Sequence, residues 1–95
     1  MIRSFANTNT QTERIWNGLR SKKLPADVQK RALIKLLMFD ASASLDDLKL
    51  PPSNGLHDLK DDRLGQHAIS INKKYRICFV WNNGDAYDVE IVDYH

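Results

Sequence analysis

The stretch HAISINKKYRICFVWNNGDAYDVEIVDYH, residues 67–95, carries the pattern that decides the fold. Apolar side chains recur there with a period of two, in three runs separated by short polar segments. Because alternate residues of a strand point to opposite faces of a sheet, the runs predict three consecutive antiparallel strands. The apolar residues predicted to share a face within each run are Ile69 and Ile71, Ile77 and Phe79, and Tyr87, Val89 and Ile91.

The segment Asn82-Asn83-Gly84-Asp85 predicts a turn between the last two strands. A two-residue Asn-Gly loop would pair Phe79 with Asp88. The apolar side chains of the two strands would then not lie on the same face of the sheet. Pairing Phe79 with Val89, and Ile77 with Ile91, avoids the mismatch and requires an odd loop of three or five residues. We therefore expect a longer loop in which Gly84 takes the left-handed backbone conformation.

Two helices are predicted before these strands. Thr10-Gln11-Thr12-Glu13 has the form of a capping box, and apolar residues then recur at helical spacing, which predicts a first helix at about 10–20. Pro25 suits a first helical position, and the broad apolar face behind it predicts a second helix at about 25–39. The connection that follows is expected to hold one short helical turn at about 45–48.

The apolar opening Ile2 to Phe5 is expected to pair as a strand with the later sheet. The predicted class is therefore α+β, a single domain over residues 1–95 with the order β-α-α-β-β-β and both helices packed on one sheet face. The opposite face is expected to stay open and to carry Arg76, Cys78 and Val80. Trp16 and Trp81 are interpreted as packing residues.

Composition limits the class of protein. The chain has 95 residues and a net charge of +2, and none of its apolar runs approaches the roughly 20 residues that span a bilayer. Its start lacks the apolar region of a secretory signal, and its single cysteine, Cys78, cannot form an internal disulfide. These features predict a cytoplasmic protein without a membrane partner. Cys78 is interpreted as chemically inert, since the linear sequence identifies no base for it.

Three places hold residue types suited to phosphodiester chemistry: the segment around His57 and Lys60, the strand residue Arg76, and Asp93-Tyr94-His95. Cleaving RNA without a metal requires a base for the 2′-hydroxyl, an acid for the leaving 5′-oxygen, and cations beside the phosphate. All three types are present. The three histidines match no compact zinc site, so neither a metal nor another cofactor is expected.

The joint occurrence of Leu56-His57-x-Leu59-Lys60, Tyr75-Arg76-Ile77, Gly84-Asp85-Ala86-Tyr87 and Asp93-Tyr94-His95 resembles the HigB-type killer toxins of the RelE/ParE superfamily. The resemblance implies a ribosome-dependent endoribonuclease that cuts messenger RNA in the ribosomal A site. It also implies neutralisation by a HigA-like helix-turn-helix antitoxin. The toxin would then contact DNA only indirectly, as part of the complex with that antitoxin. The positions that match the family's catalytic set are His57, Lys60, Arg76, Asp93, Tyr94 and His95.

Under this resemblance, His57 and Asp93 carry out proton transfer, with either able to act as base. His95 is the acid on the leaving-group side or a phosphate contact, and Lys60 and Arg76 stabilise the phosphate. Tyr94 is expected to stack on or orient a base of the codon. The cations expected to contact RNA or the ribosome are Lys22, Lys23, Lys30, Arg31, Lys35 and Arg63, and a solvated charged surface is the alternative for them.

Two other functions stay open at this point. A ParE-like toxin would share the fold and inhibit DNA gyrase by binding it, without RNA chemistry, and the terminal His95 argues against that function. A non-catalytic RNA-binding module on the same fold is the second alternative, and the residues alone do not exclude it.

Overall fold

A computed structural model describes residues 1–6 and 10–93 of the chain. Over these residues, a pair of helices precedes a four-stranded antiparallel sheet with strand order β1-β2-β3-β4, which is the predicted α+β class. Single 3-10 turns occupy Leu45–Lys49, Pro52–Asn54 and Asp61–Arg63, and the first of them confirms the expected turn. The elements are α1 (Thr10–Trp16), α2 (Ala26–Ala41), β1 (His57–Asp58), β2 (His67–Ser70), β3 (Tyr75–Asn82) and β4 (Asp85–Asp93).

The N-terminal segment pairs with the sheet as predicted, although through two isolated bridges. Ile2 and Phe5 form parallel bridges with Ala86 and Val89 of β4. The Arg3 amide donates to the Ala86 carbonyl at 2.8 Å. The segment therefore covers the outer edge of β4.

The helices end where local chemistry stops them. α1 is shorter than predicted because Gly18, at φ 79°, closes it: the Leu19 amide donates to the Arg14 carbonyl at 2.8 Å in a Schellman-type ending. Leu19, predicted to lie within the helix, is exposed. Pro25 precedes α2, which runs two residues past its predicted end to Ala41. The capping box predicted at Thr10 falls on a side chain outside the described residues.

One face of the sheet, called here the helix-bearing face, packs its Ile69, Ile77 and Phe79 side chains against the helices. All three are fully buried, as are Leu36 and Phe39 of α2. The Phe39 and Phe79 rings meet edge to face with centroids 4.5 Å apart. This face therefore holds the main core, and the packing of Trp16 and Trp81 against that core confirms their interpretation as packing residues.

The β3–β4 hairpin differs from the prediction. Asn82 pairs with Asp85, so the loop has two residues, Asn83 and Gly84, with φ values of 51° and 83°. The predicted loop of three or five residues was wrong, because a β-bulge at Asp88 (φ 52°) supplies the register shift instead. The Ile77–Ile91 pair is as predicted.

The bulge also changes which side chain enters the core. Tyr87 pairs with Val80, and Ala86 takes the fully buried position on the helix-bearing face that Tyr87 was predicted to occupy. Ser4 stabilises the bulge, since its hydroxyl accepts a hydrogen bond from the Asp88 amide at 2.9 Å.

The opposite face of the sheet, called here the second face, carries Ala68, Cys78 and Glu90 in one row. The prediction that this face stays open was wrong at Cys78, which is fully buried. Leu59 packs over Ala68 and Cys78 and is itself only 8% exposed. The segment 59–66 thus covers some of the second face, while Arg76 and Val80 remain partly exposed. Among the described residues, neither helix has the length and hydrophobicity to cross a bilayer.

Candidate active site

His57 is held on the edge strand of the sheet with its ring exposed to solvent. It pairs with Ala68 of β2, which places it in the row of Cys78 on the second face. Its Nδ1 lies 2.8 Å from the Gly55 carbonyl oxygen. When Nδ1 donates its proton to that carbonyl, Nε2 carries the lone pair and can accept a proton. The backbone therefore selects the tautomer suited to a general base.

β1 is only two residues long, and a side-chain contact strengthens its pairing. Asp58 Oδ1 lies 2.6 Å from Nδ1 of His67, its cross-strand partner on β2. The His67 ring also lies 5.7 Å from the Phe79 ring. This pair ties the residue next to His57 to the sheet. Sequence reasoning missed it, because Asp58 and His67 belong to no local motif.

Arg76 reaches the same face from β3, where it pairs with Ser70 on one side and Val92 on the other. Strands lie about 4.8 Å apart and rise about 3.3 Å per residue, so the α-carbons of His57 and Arg76 are separated by about 12 Å. Lys60 is exposed and follows Leu59, whose side chain packs on the second face. His57 and Arg76 thus lie on one face of the sheet, and Lys60 is exposed on the segment that covers part of that face.

Arg63 has a partner inside the protein. Its Nη1 donates to Glu90 Oε1 at 2.7 Å and to Gln66 Oε1 at 3.0 Å. The hydrogen bond to Glu90 raises the pKa of the Arg63 guanidinium above its ordinary value. Arg63 was expected to contact RNA, whereas the structure uses it to hold the segment 59–66 against β4.

Cys78 lies beneath this ion pair. Burial raises the pKa of its thiol, while the Arg63 and Arg76 guanidinium groups partly oppose that shift. The thiol is therefore protonated near neutral pH and shielded from solvent, which agrees with its interpretation as inert.

Asp93 ends β4 opposite Tyr75, and strand alternation places it with Ile91 in the direction of the helix-bearing face. Its Oδ2 lies 3.7 Å from Lys74 Nζ. In this register Asp93 therefore does not share a face with His57 and Arg76, although all three match the family's catalytic set. Asp93 is itself exposed to solvent. Tyr94 and His95 lie outside the described residues.

The basic segment before and within α2 is mostly exposed, as a surface that contacts nucleic acid requires. Lys22, Lys23, Lys30 and Arg31 are exposed. Lys35 is different: its ammonium donates to Asn54 Oδ1, and burial lowers the pKa of the amine. Lys35 is therefore held by Asn54 and is less free than the other cations, and its contact with RNA stays a prediction. Across residues 1–6 and 10–93, no cluster of three or more His, Cys, Asp or Glu side chains could hold a metal ion.

Comparison with known proteins gives these positions a family context. Residues 5–95 match the family model of HigB-like toxins, described as RelE-like toxins of type II toxin–antitoxin systems. Endoribonuclease HigB of Proteus vulgaris is 35% identical over 95 residues, the full length of both chains. Toxin HigB-1 of Vibrio cholerae serotype O1 is 33% identical over 67 residues, 70% of each chain.

The fold has a relative among solved structures as well. The crystal structure of YafQ from E. coli strain BL21(DE3) superimposes with a TM-score of 0.59 and 12% identity, covering 98% of this chain and 91% of YafQ. At that identity the likeness concerns the fold alone. The match to the family model covers nearly the whole chain, so this protein belongs to the HigB family of RelE-like toxins of type II toxin–antitoxin systems.

Proposed function

We propose that this toxin is a ribosome-dependent endoribonuclease that cleaves messenger RNA in the ribosomal A site by metal-independent acid–base chemistry. The observation that carries the proposal is the exposed His57 imidazole, oriented through Nδ1 on the face that also presents Arg76. The Proteus vulgaris relative, aligned over the whole chain, is named an endoribonuclease, which supports the same activity here.

In the proposed reaction, His57 Nε2 removes the proton of the 2′-hydroxyl, and the resulting oxygen attacks the adjacent phosphorus. The bond to the 5′-oxygen breaks, and an acid returns one proton to that oxygen. The products are a 2′,3′-cyclic phosphate and a 5′-hydroxyl, so no external water or redox partner is consumed. Lys60 and Arg76 stabilise the charge that develops on the phosphorane oxygens.

The placement of Asp93 favours His57 as the base. His57 lies on the second face with Arg76, whereas Asp93 pairs with Tyr75 and contacts Lys74 at the end of the sheet. We assign the acid role to His95, with Asp93 supporting proton transfer from the strand end. Tyr94 is assigned to stacking on a codon base.

Positioning of the substrate is assigned to the ribosome. A chain with a net charge of +2 gains little RNA affinity from counterion release, so the ribosome supplies most of the binding. The exposed Lys22, Lys23, Lys30 and Arg31 are the proposed ribosomal RNA contacts. A HigA-like antitoxin neutralises the toxin, which acts in the cytoplasm and meets DNA only through that complex.

The test is a translation mixture with purified ribosomes and a defined messenger RNA. We expect new 5′-ends within codons only when the ribosome occupies the message, and no cleavage of the same RNA without ribosomes. Inhibition of DNA supercoiling without cleavage would indicate a gyrase-binding toxin, and binding to ribosomes without cleavage would indicate a non-catalytic RNA-binding module.

A further inference from the structure

A groove of about 340 Å³ lies beside the proposed active site, between α2 and the edge of β2. β1 pairs with His67 and Ala68, so it stops short of Ser70 and leaves that end of β2 facing the groove. Among the described residues, those that line it include two cations and no carboxylate. They are Arg31, Ile34, Lys35, Ser53, Ser70 and Ile71.

The chemistry of this lining suits an anion. Arg31 is exposed on α2, so its guanidinium can turn toward a ligand. The Lys35 ammonium is held at the wall by Asn54 Oδ1. Burial lowers the pKa of Lys35, and a bound anion would offset the cost of holding that charge away from water. The Ser53 and Ser70 hydroxyls add neutral donors of the kind that bind phosphate oxygens.

The groove adjoins the proposed site of cleavage. Ser70 is the cross-strand neighbour of Arg76, the proposed contact of the scissile phosphate. Gly55 lies next to Ser70 as well, since a Cβ added to Gly55 would be 3.6 Å from Ser70 Oγ. The Gly55 carbonyl in turn binds His57 Nδ1. A strand of RNA crossing the second face would therefore meet this groove as it passes over the edge of β2.

We propose that the groove is an RNA subsite that binds the phosphate of a nucleotide next to the scissile one, with Arg31 as its principal ligand. This inference rests on the proposed active site. Ser70 connects the two phosphate sites, and the apolar side chains of Ile34 and Ile71 pack against the sugar or base. An acidic side chain of a protein partner would suit the same cations, but only a continuous RNA strand explains why the groove adjoins Arg76.

The test is an NMR titration of the 15N-labelled toxin with a short oligoribonucleotide carrying 2′-O-methyl groups, which cannot be cleaved. We expect the amide signals of Arg31, Ser53 and Ser70 to shift along with those of His57 and Arg76. Arg31→Gln should raise the dissociation constant about tenfold, the usual value of a lost charged hydrogen bond. Lys49→Gln is the matched control, because it also removes one positive charge, and Lys49 is exposed and does not line the groove.

Equal weakening by Arg31→Gln and Lys49→Gln would overturn the subsite, since it would show only a general effect of charge. Shifts at His57 and Arg76 without shifts in the groove would also overturn it while leaving the proposed active site intact. A third outcome is that only the amide signals of groove residues shift and that His57→Ala still cleaves at the wild-type rate. That outcome would contradict the proposed catalytic function. If Arg31→Gln weakens neutralisation by the antitoxin but not RNA binding, the groove is a protein-docking site and the inference fails.

Discussion

The two faces of the sheet are stabilised by different means. The helix-bearing face buries large side chains, among them Phe79 and Ile77, beneath α2. The second face has only a small apolar cluster around Cys78, covered by Leu59. Its covering segment is held by hydrogen bonds from Arg63 to Glu90 and Gln66. Apolar burial thus dominates one face, and polar contacts of moderate strength dominate the other.

This difference between the two faces indicates where a small domain can position polar functional side chains. The helix-bearing face holds most of the apolar core, so the second face can leave the residues proposed for catalysis at least partly exposed, namely His57, Lys60 and Arg76. Polar contacts orient that face without filling it with apolar side chains. We therefore expect substitutions on the two faces to separate loss of stability from loss of activity.

The largest expected effect is on activity and belongs to the second face. His57→Ala should lower single-turnover cleavage by about 10²–10⁴-fold, which is the usual contribution of a positioned general base. Because the ring is exposed and its hydrogen bond is with the Gly55 carbonyl at the surface, the free energy of unfolding should change by less than about 0.5 kcal/mol. Cleavage assays on programmed ribosomes and urea denaturation measure the two quantities. Unaltered cleavage would remove His57 from the site.

The next effect is on stability and compares adjacent residues of β3 that point to opposite faces. Phe79→Ala should lower the free energy of unfolding by about 3–5 kcal/mol, because it removes a buried ring that packs on Phe39. Cys78→Ala, on the second face, should cost only about 1 kcal/mol. Urea denaturation of both variants tests this directly. Equal losses would show that the two faces contribute alike.

A smaller effect is expected at the ion pair that holds the segment 59–66. Glu90→Gln should lower the free energy of unfolding by about 1 kcal/mol, since the Arg63 side chain is 34% exposed and solvent screens the pair. It should also reduce cleavage, because Lys60 lies on the segment that is released. Asp46→Asn, which removes the solvated pair with Lys49, is the control and should change neither quantity. If both variants behave alike, the pair does not hold the segment.

The smallest effect concerns pH. Burial raises the pKa of the Cys78 thiol, so the unfolded chain loses this proton at a lower pH than the folded one. Above the ordinary thiol pKa of about 8.5, folding stability should therefore fall as pH rises. Burial lowers the pKa of the Lys35 amine, which has the opposite effect on how folding stability changes with pH. The wild type must therefore be compared with a variant that lacks the thiol. Denaturation near neutral pH and at about pH 9.5, in the wild type and in Cys78→Ala, isolates the thiol.

That prediction fails if the two chains lose stability equally between the two pH values. A second readout is thiol modification by an aromatic disulfide reagent. We expect it to be slow in the folded protein and fast after unfolding, since Cys78 is fully buried.

The sequence by itself determined the α+β class, the second helix, the strands of the meander and the residues proposed for catalysis. Each of these rests on a local signal. The period of two in β3 and β4 depends only on which residues alternate, and the apolar face of α2 depends only on helical spacing. The resemblance to HigB-type toxins likewise depended on short motifs around His57, Arg76 and the end of the chain.

Only the tertiary structure decided which side chains the second face buries and how the site is held. The bulge at Asp88 turns Tyr87 away from the core, and the Asp88 amide donates a hydrogen bond to the Ser4 hydroxyl, 84 residues away along the chain. Arg63 appeared to be a surface cation until folding brought Glu90 to it, 27 residues further on. Such contacts join residues that are far apart in sequence and share no periodic pattern. They form only when the chain folds, so local sequence propensity does not predict them.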